Sequence, residues 1–260
     1  MSSAARARQD QILQRMLKSD TVSVLELATS MGVSQATIRR DLRVLRDQGL
    51  LLRTHGGARQ PSQSMYDMMT LDSSFEDQLR RNMDEKRRIG LAAAKMVVND
   101  SFISLTPGTT TANVARCIVN RTGVTVVATA INIAMELSAR EDLNVYVPGG
   151  FMRPNWFSLI GPATVAGIEE FLVDIAFVGV VGIHAERGLW SGNHDEAAVN
   201  RSMIRNARKC VVVADHSKIS NLGSSRISDI ETVDALITGV EAGDDDIAPF
   251  VSLGIEVLRV

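Results

Sequence analysis

Apolar and polar positions follow two rhythms along this chain, and the change falls near residue 60. Before it the period is helical. Residues 6–18 place Ile12, Leu13, Met16 and Leu17 on one side of a helix. In "SVLELATSMG", Ser23 stands three residues before Glu26, the spacing of a capping box, and Val24, Leu27 and Ala28 follow at helical intervals. Gly32 has no Cβ and tolerates the left-handed turn that ends such a helix. Ser34 is placed to cap a third helix, in which Ile38, Leu42 and Leu45 recur at i, i+4 and i+7 as a buried stripe. After Gly49, "LLLRTHGGA" reads as a short β-hairpin, or wing.

The stretch "RQPSQSMYDMMTLDSS" predicts a linker over residues 59–74. From Phe75 to about Val98 the pattern is helical again. Short continuous apolar runs then dominate: "FISLT", "VTVVAT", "LNVYVPGG", "IAFVGVVGI", "KCVVVAD", "ALITG" and "EVLRV". Helical segments lie among them, such as "NVARCIV", "INIAMELSA", "ATVAGIEEFL" and "EAAVNRSMIRNA". Strands of this kind alternating with helices predict a largely parallel sheet covered on both faces. The expected fold is therefore α/β. A winged helix-turn-helix occupies residues 1–58, and a larger α/β domain occupies residues 75–260.

Composition sharpens this picture in two places. The formal charge of −2 over 260 residues hides an asymmetry: residues 1–60 carry ten Lys/Arg against five Asp/Glu, and the remainder carries 18 against 25. A basic head on an acidic body predicts a polyanion partner for the head alone. No apolar run approaches the roughly 18 residues of a membrane span, and "MSSAARARQD" is polar, so a cytoplasmic protein with no membrane partner is expected. Cys117 and Cys210 stand far apart without ligand spacing and are expected to be reduced packing residues, with no metal and no cofactor.

Gln35, Ala36, Arg39, Arg40 and Arg43 fall on the face opposite the apolar stripe of the third helix. A helix, a tight turn and a second helix with outward cations form a helix-turn-helix, whose second helix fits the major groove of double-stranded DNA. Ser34 at the cap can offer a hydroxyl and backbone N–H groups to a phosphate. Gln35 and Arg39 can reach base edges, while Arg40, Arg43, Arg53 and His55 suit phosphates. Thr37 in the same first turn completes the candidate set. The competing reading is a solvated basic face that Asp41 and Asp47 partly neutralise.

Residues 8–58 resemble the DeoR family of bacterial transcription regulators, through "VSVLELATSMGVSQATIRRDLRVL" and "GLLLRTHGGA". The resemblance continues through "DEKRRIG", "PGTTT", "VPGG", "IGP", "DEAAV" and "ADHSK". It implies a sensor domain similar in fold to ribose-5-phosphate isomerase that binds a phosphorylated sugar or polyol. It also implies a homodimer or homotetramer and operator DNA as partner. The chain departs from the family pattern at Thr106, where aspartate is common, at Ala128-Thr129 in place of Thr-Asn, and at Gln78, where arginine is common.

Several segments of the sensor carry recognisable chemistry. "TPGTTT" at 106–111 lies between a strand and a helix, so Gly108 and the hydroxyls of Thr106, Thr109, Thr110 and Thr111 are candidates for a phosphate cradle. A Thr-rich turn with a helix cap explains the same residues. Lys218, just past a strand end, suits an anion, though it also reads as a solvated loop lysine. Gly149 and Gly150 would allow backbone approach, Thr129 closes a further strand, and Glu196 would accept sugar hydroxyls or merely favour a helix start. Trp156 and Trp190 are candidate pocket walls. In the isomerase family the equivalent of "VDIAFVGVVGI" ends in acid/base carboxylates; aligned on Asp174, those positions hold Val178 and Val181. Valine cannot transfer a proton, so a repressor gated by a metabolite is expected. A sugar-phosphate isomerase with an appended DNA module and an architectural DNA binder with a vestigial pocket are the alternatives.

Overall fold

The computed structural model describes residues 3–16, 19, 21–47, 50–54, 56–59, 73–154 and 156–260. The chain divides into two compact units, residues 1–71 and 72–260.

The first unit packs three helices, α1 (Ser3–Met16), α2 (Val24–Met31) and α3 (Gln35–Asp47), with a small sheet. The sheet orders β1 (Thr21–Ser23), β3 (Gly57–Arg59) and β2 (Leu52–Thr54) side by side, all antiparallel. Ile12, Leu27, Ile38, Leu42, Leu45 and Leu51 close over one another as its core, so the predicted stripe of α3 is the buried one. Gly32 adopts φ +63 at the end of α2, as the turn requires. Ser23 caps α2, although its hydroxyl accepts from the Leu25 N–H and not from that of Glu26 as a capping box would have it. The wing exists because Gly57 has no side chain: a Cβ there would overlap the Val22 carbonyl oxygen of the neighbouring strand.

Asp41 corrects the idea of a self-neutralised basic face. It lies 3 % exposed, points inward, and takes hydrogen bonds from the Arg8 guanidinium and the Gln9 amide of α1. It ties the two helices together and leaves the outer arginines alone. Asp47 pairs with its neighbour Arg46.

The second unit is a seven-stranded, wholly parallel sheet. Its spatial order is β15 (Glu256–Arg259), β14 (Ala235–Thr238), β12 (Ala207–Val213), β9 (Val173–Val178), β4 (Phe102–Leu105), β5 (Val124–Ala128) and β6 (Leu143–Tyr146). Side chains alternate between two cores. Phe177, Val211 and Val213 face one; Ala176, Val178, Cys210 and Val212 face the other. That is the two-sided burial the apolar runs predicted. Burial pushes the thiols of Cys117 and Cys210 up to about 12, which makes them inert packing groups.

The helical pattern over 75–98 is two helices, α4 (Ser73–Arg80) and α5 (Met83–Lys95). They break at Asn82, whose left-handed φ of +51 ends the first and whose side-chain amide donates to Asp215 at 2.9 Å. Two pieces have no counterpart in the sequence reading: a hairpin of β7 (Phe151–Met152) and β8 (Leu159–Ile160), and a small antiparallel sheet of β10 (Gly182–His184), β11 (Gly188–Ser191) and β13 (Ser225–Ser228).

Replacing Asp41 with alanine leaves Arg8 and Gln9 without their shared acceptor. We expect the helical head to lose about 3 kcal/mol. Hydrogen exchange at the Ile38 and Leu42 amides reads this directly, and unchanged protection would show that the buried ion pair is dispensable.

Candidate functional site

The topology places a crevice before any side chain is considered. From β4 the chain builds outward through β5 and β6; it then returns to the other side of β4 with β9 and builds outward through β12, β14 and β15. The loops after β4 and β9 therefore leave in opposite directions, and ligands of open α/β sheets bind at such a point. A cavity of about 140 Å³ opens there. Its walls come from the loop after β4 (Pro107–Thr110), the loop after β9 (Gly179–Val181) and Lys218 beyond β12, with Gln78, Trp156, Ser191, Glu196 and Asn200.

The charged wall residues are held from behind. Gly108 precedes α6 (Thr109–Cys117), so the first turn of that helix faces the cavity with Thr109 and Thr110. Lys218 ends a short helical turn, His216–Lys218, and its Nζ donates to Gln78 Oε1 at 3.0 Å. Glu196 lies in the first turn of α9 (His194–Arg205), capped by Asn193, whose side chain accepts from the Asp195 and Glu196 N–H groups. Glu196 Oε1 accepts from Arg153 Nη1 at 2.9 Å and from the Ser158 hydroxyl. Arg153 also lies over the Trp156 ring, 5.0 Å from its centroid. Asn200 follows Glu196 by four residues and shares its helix face.

The turn that carries Lys218 is anchored to the start of α5 by "DEKRRIG" meeting "ADHSK". Glu85 accepts from the His216 backbone N–H and pairs with the His216 ring at 2.7 Å; it also accepts from the Gly239 N–H. Asp215 takes hydrogen bonds from Asn82 and Ser217 and lies 3.8 Å from Lys86 Nζ. Burial pushes the Asp215 carboxyl up, but the bonds from Ser217 and Asn82, with Lys86 and Lys218, outweigh it and hold the group below its ordinary value. Burial lowers Lys86 to about 8 against the pull of Asp215. Glu85, Asp215 and His216 lie close enough to share a cation. Glu85 and His216 are already engaged with each other and with backbone, and Asp215 with Asn82, Ser217 and Lys86, so the cluster reads as a structural tie.

Five sensor candidates line the cavity: Gly108, Thr109, Thr110, Glu196 and Lys218. Five do not. Thr106 is fully buried, and its hydroxyl accepts from the Gly179 N–H at 2.8 Å; where the family commonly has aspartate, the hydroxyl pins the β4 and β9 loops together. The Thr111 hydroxyl turns back to the Gly108 carbonyl. Thr129 is buried against the Leu105 carbonyl and the Met203 sulfur. Gly149 accepts from the Thr164 hydroxyl, and a Cβ on Gly150 would strike that same Thr164. Both glycines serve the packing of the helix Pro162–Glu169 and not the cavity. Trp190 also lies elsewhere, its indole donating to the Arg187 carbonyl, whereas Trp156 is a wall. Gln78 and Asn200 line the cavity without having been read as ligand residues. Helical spacing from Glu196 was the available signal for Asn200.

Val178 is sealed in the core and Val181 lines the cavity. Asp174 sits at the opening of β9, where it accepts from the Phe102 N–H; a strand of that length puts it roughly 15 Å or more from the loop beyond Val178. Among the described residues lining the cavity, Glu196 is the sole carboxylate.

In the first unit, Ser34, Gln35, Arg39, Arg40, Arg43 and Arg53 are exposed and Thr37 is half-buried. Ser34 caps α3 by accepting from the Thr37 N–H at 3.2 Å, and the two hydroxyls lie 3.0 Å apart. Arg39 donates to Gln35 Oε1 at 3.5 Å, and among the described residues no carboxylate pairs with Arg39, Arg40, Arg43 or Arg53. His55 lies outside the described residues.

Comparison with known proteins agrees with this geometry. Residues 8–64 match the DeoR-like helix-turn-helix domain and residues 81–240 the DeoR C-terminal sensor domain. The chain belongs to the DeoR family. It is 32 % identical over 231 residues to the glycerol-3-phosphate regulon repressor of Escherichia coli (strain K12), covering 89 % of each chain. It is 32 % identical over 255 residues to a putative aga operon transcriptional repressor of Escherichia coli O157:H7, covering 97 % of this chain and 93 % of that one. Among solved structures it is similar to ribose 5-phosphate isomerase A from Methanocaldococcus jannaschii, at 24 % identity and a TM-score of 0.41, over 53 % of this chain and 54 % of the other. As a family member this chain is a DNA-binding transcription regulator and not an enzyme. No described helix is long and apolar enough to cross a membrane.

The His216–Glu85 pair makes stability depend on pH. The hydrogen bond that the His216 ring donates to Glu85 raises the His216 pKa above 6.5 in the folded state. Its contribution is therefore complete below that ordinary value and disappears as pH rises through the raised one. The gap in melting temperature between the wild type and His216→Gln should be widest near pH 6 and close by pH 9. A gap that is constant across this range would show that the imidazole is neutral throughout.

Proposed function

We propose that this regulator is a repressor of a carbohydrate-catabolism operon and leaves its operator when a phosphorylated sugar or polyol enters the cavity. The observation that carries the reading is one crevice combining the first turn of α6, Lys218 and hydroxyl acceptors, with no carboxylate at Val181. It is a cavity that can hold an anion and lacks the acid/base pair that turnover needs. The names of the relatives are consistent with this: one is a repressor of a glycerol-3-phosphate regulon. At about 140 Å³ the cavity is small for a ligand site, which favours a compact effector.

In the head, Gln35 and Arg39 read base edges, Arg40, Arg43, Arg53 and His55 meet phosphates, and Ser34 and Thr37 offer the first turn of α3 to a phosphate. The protein acts in the cytoplasm as a homodimer or homotetramer, whose symmetry matches repeated half-sites on DNA. The effector acts through differential affinity for the conformation that does not fit the operator.

The decisive experiment screens phosphorylated sugars and polyols for release of the full-length protein from operator DNA. Release by members of this class is the expected result; no release by any member would overturn the effector reading. Arg39→Ala should cost about 1–3 kcal/mol on the operator and little on random DNA, whereas Arg43→Ala should weaken both and lower the salt dependence by about one counterion. Lys218→Ala should keep operator binding and lose the response to effector, checked by fluorescence anisotropy of labelled operator.

A further inference from the structure

Resting on that reading of the cavity, we propose that Asn200 is a specificity-determining residue that selects effectors carrying a free hydroxyl beside the phosphate. The starting point is an unmet hydrogen bond. Asn200 is 5 % exposed, lines the cavity, and its Oδ1 is sealed from water with no hydrogen-bond partner among the described residues. A buried amide oxygen in that condition is costly, and native structures keep few of them. An asparagine facing only the core would be expected to find a backbone N–H, as its neighbour Asn193 does with Asp195 and Glu196.

The soft, roughly two-fold χ2 torsion of asparagine lets a modest rotation bring the oxygen to the cavity. A ligand O–H there supplies the donor that the protein does not. Glu196, one turn earlier on the same face, adds a second acceptor whose other oxygen partners, Arg153 and Ser158, hold it in place. Helix α9 thus presents two acceptors to the cavity, while the loop after β4 and Lys218 present donors. A phosphate is matched by the donors, and hydroxyls are matched by the acceptors. An alkyl phosphate leaves Asn200 Oδ1 without a donor and brings Glu196 nothing beyond Arg153 and Ser158, and a carboxylate in place of the hydroxyls meets acceptors and a like charge. Sites built around a ligand hydroxyl reject its deoxy counterpart strongly, because their own buried polar groups are then left without partners.

The test titrates the full-length protein with four probes and follows heat or Trp156 fluorescence. The probes are polyol phosphates of three to six carbons, n-propyl phosphate, 3-phosphoglycerate and inorganic phosphate. We expect the wild type to prefer a polyol phosphate over n-propyl phosphate and 3-phosphoglycerate by tenfold or more. In Asn200→Ala the preference over n-propyl phosphate should fall to threefold or less, with affinity for inorganic phosphate changed by less than threefold. The ligand-free melting temperature of Asn200→Ala, or of the better-filling Asn200→Leu, should stay level or rise, since an unpaired oxygen is removed. A marked fall in both variants would make Asn200 a structural residue and overturn the proposal. So would an undiminished preference in Asn200→Ala, or a wild type that takes n-propyl phosphate as tightly as the polyols. If the wild type bound no member of the panel, the effector reading itself would fall, and this inference with it. If polyol phosphates bound in a manner lost in Lys218→Ala but untouched in Asn200→Ala, this inference alone would fall.

Discussion

A parallel strand can join its neighbour only through a crossover, and a sheet that grows first one way and then the other must leave a gap where the crossovers part. Here that gap lies between β4 and β9. The backbone N–H of Gly179, donated to the Thr106 hydroxyl, fixes its floor. The first turn of α6, the loop before β10 and the turn bearing Lys218 have no other place to converge. The cavity is thus a consequence of strand order, and side chains decide only what it recognises. Val181 on its wall and Val178 beneath it supply no proton.

Charge follows a comparable division of labour in the head. Arg8 is satisfied internally by the buried Asp41, where it orders α1 against α3. Arg40, Arg43 and Arg53 have no such acidic partner among the described residues. The same residue type therefore serves packing in one helix and surface potential in another. The difference lies in which side of the Ile38–Leu42–Leu45 stripe each guanidinium reaches. The exposed Arg39, Arg40, Arg43 and Arg53 create a potential that dissolved salt screens out beyond about 8–10 Å, and the phosphate backbone of DNA lies within that range once the helix enters the groove.

Much of this was legible in the sequence, for reasons that can be named. The stripe of α3, the Gly32 turn and the two-sided strands follow from periodicity and burial alone, and those are local properties. Gly108, Thr109, Thr110, Glu196 and Lys218 were legible because cavity residues sit just past strand ends or at helix starts. What failed was the direction of individual side chains. Thr106 and Thr111 belong to the same motif as Thr109, yet their hydroxyls turn to Gly179 and Gly108. Gly149 and Gly150 looked like a ligand approach, but they make room for Thr164. Asp41 looked like part of a surface charge pattern, but it is buried. Asn200 and Gln78 were missed as ligand residues because polar residues on helices carry no mark of facing a cavity until the helices are packed.

The links behind Lys218 show how occupancy can matter beyond the cavity. Lys218 is held by Gln78, Asp215 by Asn82 and Lys86, and His216 by Glu85. All four partners lie between residues 78 and 86: Gln78 on α4, Glu85 and Lys86 on α5, and Asn82 at the break between the two helices. An anion that drew Lys218 from Gln78 would replace a neutral acceptor with a charged one, and the acceptor given up lies on α4. Where the family commonly has arginine, Gln78 gives α4 no charge of its own to oppose or assist that exchange. A ligand shifts a conformational equilibrium only by its difference in affinity for the two states. In this chain Lys218 and the acceptors of α9 are the polar groups of the cavity wall through which a bound ligand would make that difference.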